Sequence, residues 1–251
     1  MADRGGSRSW RWHARWPAAV LALALVVQFG NDALRLLEPD APSRSVGTTD
    51  DGRLENGKRL PSSGANYRTY SRFGSLIGRT AVHERVRDAV VEAYDGLHEE
   101  YLPVTYVYGE TGWPSGGRFR PHVTHQNGLS VDFMTPVMEG SERATLPTGL
   151  LHGFGYGTGF DADGNGIGRV DHLRIDFDAI ADHLYHLDRA ARANGLRIRR
   201  VILAPDLQDD LAATERGRRY AGRLRFSRNP SWVRHDDHYH VDFELQERRS
   251  R

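Results

Sequence analysis

The stretch PHVTHQNGLSVD, residues 121–132, and the later run HDDHYHVDFEL, residues 235–245, decide how this chain folds. Five of the 12 histidines in the 251-residue sequence lie in these two runs. Both runs lie beside sequence in which apolar and polar residues alternate, as in a β-strand with one face towards a core. The runs therefore present imidazoles and carboxylates on predicted strands, at spacings that suit a divalent metal ion.

Residues 238–245 give the clearest predicted strand. Its apolar face holds Tyr239, Val241, Phe243 and Leu245, and its polar face holds His238, His240, Asp242 and Glu244. Neighbours on one face lie about 6.5 to 7 Å apart at Cα, so His238 and His240 both reach one centre. Residues 129–133 alternate in the same way, which places Asp132 on the face that points away from the core.

Other periodic segments predict the elements around these strands. Helices are expected over residues 80–97, with Thr80 as the N-cap, over 177–191 and, less strongly because of Gly217 and Gly222, over 207–224; strands are expected over 104–108 and 198–204.

Composition narrows the classes of partner and site. The 34 basic and 33 acidic side chains give a formal net charge of +1, so nucleic acid is not expected as a partner. The sequence has no cysteine, so a transition-metal site must use histidine and carboxylate ligands. It also lacks GxSxG, P-loop and HExxH motifs, so serine-hydrolase, nucleotide and zincin functions have no support.

Residues 1–33 have the pattern of an export signal or a signal anchor, because four arginines precede an apolar run at residues 17–29. That run is shorter than the roughly 18 to 20 residues of a comfortable membrane span, and no clear cleavage site follows it, so both possibilities stay open. Either one predicts a cell-envelope protein, periplasmic or extracytoplasmic, that is membrane-anchored or secreted. Residues 34–66, with their prolines and serines, predict a flexible linker, and residues 67–251 form the expected domain.

A catalytic zinc site keeps three protein ligands and one open position for water. His125, Asp132 and one histidine of the pair His238 and His240 supply such a set, and spacing alone does not say which of the two is the ligand. The metal would lower the pKa of its water towards about 7, and the other imidazole would move a proton or hold the tetrahedral intermediate. The predicted site is therefore a mononuclear zinc hydrolase site.

The two motifs, HxxHQxGLxVD at residues 122–132 and HxxHxHV at residues 235–241, resemble those of the penicillin-insensitive murein endopeptidases. These belong to a wider group with the lysostaphin-type and D-Ala-D-Ala metallopeptidases and the Hedgehog signalling domain. The resemblance implies an α+β fold in which a central antiparallel sheet, flanked by helices, carries a mononuclear zinc site. It also implies hydrolysis of peptide cross-links in peptidoglycan.

The resemblance further implies a role for each matching residue. His125, Asp132 and His240 become the zinc ligands and His238 the catalytic histidine, while His122 and His235 become active-site companions, which would complete the catalytic set. This chain departs from the family pattern in two ways. It has no cysteine, and Ser130 stands where an aspartate is commoner, which is expected to alter the charge of the site. The bond that is cut therefore stays open.

Residues near the two motifs are candidates for binding substrate. Arg118 and Arg120 can hold a substrate carboxylate in bidentate fashion, although arginines of this kind are often solvated surface residues. Trp113 and Trp232 flank the motifs and can line a groove or pack in the core.

The segment Asp161-x-Asp163-x-Asn165-Gly166 resembles the start of an EF-hand calcium loop. Its twelfth position is His172 instead of glutamate, and no strong predicted helix precedes it. A turn rich in aspartate and asparagine is therefore preferred to a Ca2+ site.

These observations predict an envelope metallopeptidase with one Zn2+ per chain and peptidoglycan as its substrate. Two alternatives remain. A D,D-carboxypeptidase uses the same chemistry on a terminal residue, and a zinc-bearing domain that only binds a wall peptide or a protein hydrolyses nothing.

Overall fold

A computed structural model describes residues 15–100, 104–228, 231 and 233–246. The helices are α1 (Arg15–Arg35), α2 (Arg72–Leu76), α3 (Glu84–Glu100), α4 (Phe177–Ala193), α5 (Gln208–Ala213) and α6 (Glu215–Tyr220). The strands are β1 (Arg44–Gly47), β2 (Gly52–Glu55), β3 (Lys58–Arg59), β4 (Tyr67–Thr69), β5 (Ala81–Val82), β6 (Tyr106–Tyr108), β7 (Ser130–Met134), β8 (Val137–Glu139), β9 (Glu142–Ala144), β10 (Leu173–Ile175), β11 (Leu196–Ile202) and β12 (His238–Leu245). Helices and strands are thus mixed, as an α+β fold requires.

The largest sheet has five strands in the order β11-β12-β7-β6-β4. The pairings β11–β12, β12–β7 and β7–β6 are antiparallel, whereas β4 and β6 run parallel. The antiparallel sheet that was expected is therefore a mixed one. The reason is the long connection between β4 and β6, which contains α3 and allows the crossover that parallel neighbours need.

The register of β12 against β7 places the two motifs side by side. His240 is paired with Asp132, His238 with Met134, and Asp242 with Ser130. Directly opposed residues of an antiparallel pair point to the same face of the sheet. The register therefore turns the imidazole of His240 and the carboxylate of Asp132 to the same side.

Helices α3 and α4 pack against each other and cover one face of this sheet. Tyr94 of α3, Phe133 of β7, Tyr239 of β12 and His183 of α4 form the aromatic centre of that core. The alternation alone predicts that the opposite face, which carries Asp132, is solvated. In the structure that face is also buried. Segments outside the sheet cover it, so the site lies inside the protein.

The structure differs from the predicted linker over residues 34–66. Strands β1 and β2 form an antiparallel hairpin, β3 pairs with β5, and the side chains of Leu54 and Leu60 are buried. The segment also contacts the first histidine run, because Thr49 accepts a hydrogen bond from the backbone of Gln126. Its prolines lie outside the short strands, where they interrupt the periodicity that would otherwise indicate ordered structure.

Two helix boundaries also differ from the predicted ones. Helix α3 begins at Glu84 and not near Thr80, and its first turn is bonded to Ser43, whose hydroxyl accepts from the Glu84 amide at 3.0 Å. The helix expected over residues 207–224 is broken at Thr214, whose hydroxyl accepts from the amide of Gly217 within α6. A cap supplied from 41 residues away has no local sequence signature.

Helix α1 contains a stretch, Pro17–Arg35, that is long and apolar enough to cross a membrane. An N-terminal signal sequence would satisfy the same criterion of length and composition. Residues 1–14 of the predicted export segment lie outside the described residues. The structure is therefore compatible with both possibilities that the sequence left open.

The buried histidine of the core has a consequence for stability in acid. The ring of His183 is fully buried and is hydrogen-bonded through Nδ1 to the hydroxyl of Tyr239 at 2.7 Å. Burial, with a smaller effect of His186, lowers the pKa of His183 from 6.5 to about 3. Below pH 6.5 the unfolded chain therefore binds a proton that the native chain excludes, and the free energy of unfolding falls until the pH reaches about 3.

We expect His183→Gln, which has no titrating ring, to flatten the fall in stability between pH 6.5 and pH 4. The slope that the histidine contributes is at most about 1.4 kcal/mol per pH unit. Urea unfolding of both proteins across this range measures it. Equal slopes for the two proteins would show that His183 does not cause the acid sensitivity.

Candidate metal centre and active site

Asp132 of β7 is the point on which the two histidine runs converge. Its carboxylate is buried, and its Oδ1 lies 2.9 Å from Nδ1 of His240 and 3.2 Å from Nε2 of His125. Its Oδ2 lies 3.7 Å from Nδ1 of His122 and 3.9 Å from Nε2 of His238. The structure thus brings four of the five predicted histidines to the carboxylate of Asp132.

His125 has the properties of a metal ligand. Both of its ring nitrogens are buried, and apart from the contact of Nε2 with Asp132 Oδ1 at 3.2 Å they have no polar partner among the described residues. The residue is held with a positive φ of 70°, an uncommon backbone conformation that aims the ring at Asp132. Phe119 packs against the ring at a centroid distance of 5.7 Å. Since a buried unpaired imidazole is costly, a metal ion beside Asp132 would fit this position.

His240 is fixed from both sides. Its Nε2 is bonded to Asp242 Oδ1 at 2.7 Å, which leaves Nδ1 towards Asp132. Asp242 in turn accepts from the hydroxyl of Ser130 at 2.7 Å and from Arg200 at 3.0 Å. A carboxylate behind a histidine, with further donors behind the carboxylate, is the usual support of a metal-binding imidazole. Ser130, the departure from the family pattern, therefore supports Asp242.

The charges of these groups stabilise one another. Burial alone would raise the pKa of Asp132, but the imidazoles of His125 and His238 and the hydrogen bonds to His125 and His240 hold it well below its usual range. Burial would lower the pKa of His240, but Asp242 and Asp132 raise it to about 10. The two carboxylates thus favour the charged form of the His240 imidazole.

Two further histidines form matching pairs with carboxylates. His122 Nε2 donates to Glu110 Oε2 at 2.7 Å, and His238 Nδ1 donates to Asp237 Oδ1 at 2.5 Å. In each pair the second ring nitrogen points towards Asp132. Burial opposes a charge on His238, but Asp132 and Asp237 raise its pKa above the ordinary value. Each imidazole is therefore held in one orientation at the edge of the site.

Glu110 and Tyr156 were not found by sequence reasoning. Arg79 and the hydroxyl of Tyr70 hold the Glu110 carboxylate, and burial is outweighed by the bonds from His122 and Arg79, so that its pKa is about 2. The hydroxyl of Tyr156 donates to Asp132 Oδ2 at 3.1 Å and accepts from the Glu110 amide at 2.7 Å.

The segments that carry these two residues gave only weak signals. Glu110 follows the predicted strand 104–108 in a loop that is rich in glycine, and Tyr156 stands between glycines at residues 153–159. The only indication of a functional role was a single acidic or aromatic residue among glycines. Such a residue belongs to no periodic pattern. Both contacts are made across long sequence separations, which local patterns cannot show.

His235 lies one step further from the centre. It is buried, its Nδ1 is bonded to the carbonyl of Val233 at 3.0 Å, and its ring centroid is 4.7 Å from that of His238. Burial and the neighbouring His238 lower its pKa to about 3, so the ring is neutral. His235 therefore packs beside the His238 ring and makes no contact with Asp132 comparable to those of the other four histidines.

A cleft of about 510 Å³ opens onto the site. His122, Tyr156 and His238 lie at its polar end, and its rim includes Phe73, Ile77 and Phe154.

The predicted substrate-binding arginines, Arg118 and Arg120, are exposed and do not line this cleft. Trp232 lies outside the described residues. Trp113 packs edge-on against Phe119, with the Arg79 guanidinium over both rings.

The segment that resembles a calcium loop forms a local turn. Asp161 Oδ1 accepts hydrogen bonds from the amides of Asp163 at 3.0 Å and Asn165 at 2.8 Å. Its oxygens are thus directed at the backbone of its own turn, as in the Asx turn that the sequence favoured.

Comparison with known families assigns this chain to one of them. Residues 45–250 match the family described as penicillin-insensitive murein endopeptidase. The chain belongs to this family. Its resemblance in the two histidine motifs is therefore confirmed, and the match supports a peptidase that acts on peptidoglycan in the cell envelope. No curated protein matches the chain. The match begins within the segment that was predicted as a linker, in agreement with the strands found there.

His122, His125 and Asp132 form a group of possible metal donors whose ligand atoms lie within 4.8 Å of one another. This set differs from the predicted ligands in one member, because His122 takes the place of His240. Both sets contain His125 and Asp132. The arrangement can thus hold a metal ion, and either His122 or His240 can provide the third donor.

Proposed function

We propose that this chain is a zinc-dependent peptidoglycan endopeptidase that hydrolyses an amide bond in the cross-links between stem peptides. The observation that carries the proposal is the convergence of four imidazoles on the buried carboxylate of Asp132 beside an open cleft. Membership of a murein endopeptidase family supports the substrate class.

His125, Asp132 and His240 are the proposed zinc ligands. The nitrogens of His125 and His240 face the same oxygen, Asp132 Oδ1, and the other nitrogen of His240 is held by Asp242. His122 is the weaker candidate because Glu110 engages its Nε2 and its Nδ1 lies 3.7 Å from Asp132. These residues would hold zinc, which would supply an activated water at neutral pH and a Lewis acid for the carbonyl of the scissile amide.

His238 is proposed as the catalytic acid and base. The bond from Nδ1 to Asp237 fixes the ring so that Nε2 faces the Asp132 side of the cleft. From this position Nε2 can take a proton from the attacking water and return it to the leaving amine. Asp237 holds the orientation of the ring and stabilises its protonated form.

On the other side of Asp132, His122 and Tyr156 are proposed to stabilise charge that develops on the substrate. The His122 ring is held by Glu110, and both side chains line the cleft. Hydrogen-bond donors that are fixed before the reaction stabilise an oxyanion without reorganising. His235 is proposed to support the packing of His238.

The charges around the cleft favour an endopeptidase over a D,D-carboxypeptidase. A carboxypeptidase must bind the terminal carboxylate of its substrate, for which a free cation is suited. Among the described lining residues the cations are Arg79 and Arg234, and they are paired with Glu110 and Asp206. A cross-linked peptide has no terminal carboxylate at the bond that is cut, so it fits this lining better than the substrate of a carboxypeptidase.

The first prediction concerns the third ligand. We expect His240→Ala to lose tightly bound zinc and His122→Ala to retain it, because only His240 shares Asp132 Oδ1 with His125. Zinc per chain is measured by mass spectrometry of the metal after dialysis, and circular dichroism checks that each variant is folded. His172→Ala, which changes an exposed histidine, is the matched control. Retention of zinc by His240→Ala and loss by His122→Ala would reverse the assignment.

The second prediction concerns hydrolysis. The zinc-loaded full chain is expected to convert defined cross-linked muropeptide dimers into monomers, identified by mass. His238→Ala is expected to keep its zinc and to lose about 10²-fold to 10⁴-fold in kcat, since a positioned acid and base contributes that much.

Each alternative function has its own outcome in this assay. Survival of the dimers with zinc bound stoichiometrically would contradict the endopeptidase and favour a binding module. Release of a single terminal residue from monomers, with dimers left intact, would instead indicate the carboxypeptidase.

A further inference from the structure

Helix α1 carries apolar side chains that nothing in the described structure covers. Val20, Leu21, Leu23, Leu25, Val26 and Phe29 are between 49% and 65% exposed. In water such a surface is unfavourable, whereas in lipid it is the normal surface of a spanning helix. Four arginines at residues 4–15 precede it, which is the charge distribution of a helix whose N-terminus stays inside.

The other end of α1 is fastened to the catalytic body. Asn31 is buried, and its amide donates to the carbonyl of Leu60 and to the hydroxyl of Ser62, both at 3.0 Å. Its amide oxygen accepts from Arg59 at 3.2 Å. Asp32 accepts from the backbone amide of Ser62 at 3.0 Å. All the polar atoms of the buried Asn31 side chain are thus satisfied by the body.

Helix α1 also touches the wall of the cleft. A Cβ atom added at Gly30 would lie 2.6 Å from Cδ1 of Leu76 in α2, so the two helices are in close contact at this point. Arg72, the first residue of α2, donates to the carbonyl of Gln28 at 2.9 Å. Since Phe73 and Gly74 of α2 line the cleft, one short helix joins the anchor to the active site.

We propose that α1 is a retained membrane anchor and that α2 holds the mouth of the cleft at the bilayer surface. Cleavage of the segment as a signal after Asp32 would remove Asn31 and Asp32, and would leave their partners in the body without them; cleavage before Asn31 would remove the apolar run that the body is fastened to. A helix that is released after export has no need of such a junction. The fastened end therefore distinguishes the two possibilities that the length of the helix alone leaves open.

The length of the apolar run indicates how deep the body sits. Residues 17–29 give about 20 Å of helix, less than the about 30 Å of a hydrocarbon core. Exposed apolar side chains of the body surround the fastened end: Leu36 at 87%, Leu37 at 78%, Phe73 at 56% and Ile77 at 47%. These residues make up the shortfall when they lie in the membrane interface. Lipid is thus the partner that this surface fits.

The next step rests on the proposed function. If the chain hydrolyses peptidoglycan cross-links, the position of the cleft restricts which part of the peptidoglycan it reaches. A site held at the bilayer surface reaches the cross-links of the peptidoglycan layer that lies closest to the membrane. Peptidoglycan further away is beyond the reach of a body that is fixed by α1 without an intervening linker.

The absence of native cysteine allows a direct test with single spin labels. The full chain is placed in liposomes of phosphatidylcholine and phosphatidylglycerol, with a nitroxide at Ile77→Cys on the proposed lipid surface. The control label is at Arg197→Cys, which is exposed on β11 at the opposite edge of the sheet from β4. We expect the label at 77 to be accessible to oxygen and protected from a water-soluble nickel chelate, and the control to show the reverse.

Asn31→Ala tests the contacts between Asn31 and the body separately from the membrane insertion of α1. This variant is expected to remain in the membrane and to cleave soluble muropeptide dimers as before, but to lose the lipid protection at residue 77. An unchanged label would show that Asn31 does not position the body. Because the label depth requires no hydrolysis, failure of the endopeptidase assay and failure of this proposal are distinguishable.

The mass of the chain recovered from membranes of an expressing cell tests retention itself. The uncut chain is expected in the membrane fraction. A soluble product that begins after residue 30, or a label at 77 as accessible to the nickel chelate as the control, would overturn the proposal.

Discussion

The buried carboxylate of Asp132 is the constraint on which the rest of the site depends. An isolated charge in a protein interior is strongly unfavourable, so it must be paired and hydrogen-bonded. Here the partners are imidazoles, and three of the four have a second carboxylate behind them, from Glu110, Asp237 or Asp242. His125 is the exception, since its nitrogens have no other hydrogen-bond partner among the described residues. A bound cation would complete this arrangement of charges.

The sheet fixes that arrangement through the register of two strands. Pairing of His240 with Asp132 places both side chains on one face, and a shift of one residue would turn one of them into the aromatic core. The apolar residues Phe133 and Tyr239 on the opposite face oppose such a shift, because they are buried against α3 and α4. The packing of the core thus sets the geometry of the chemistry.

Much of this could be predicted because it is local. The alternation in residues 129–133 and 238–245 gave the two strands, and helical periodicity gave α4 over nearly its whole length. The spacing of the histidines gave the composition of the site. What escaped prediction depends on contacts between distant residues. Glu110 reaches His122 and Tyr156 reaches Asp132 from segments rich in glycine, and Ser43 bonds the first turn of a helix that begins at residue 84. The ordered strands in residues 44–59 are too short to show a period.

The claim most open to direct measurement is that Asp132 holds a metal ion together with His125 and His240. Anomalous diffraction at the zinc absorption edge, from crystals of the zinc-loaded protein, locates the ion without reference to activity. The account predicts a single peak about 2.0 to 2.2 Å from a carboxylate oxygen of Asp132 and from one ring nitrogen of each of the two histidines. A peak bound by His122 in place of His240, or no peak beside Asp132, would contradict it.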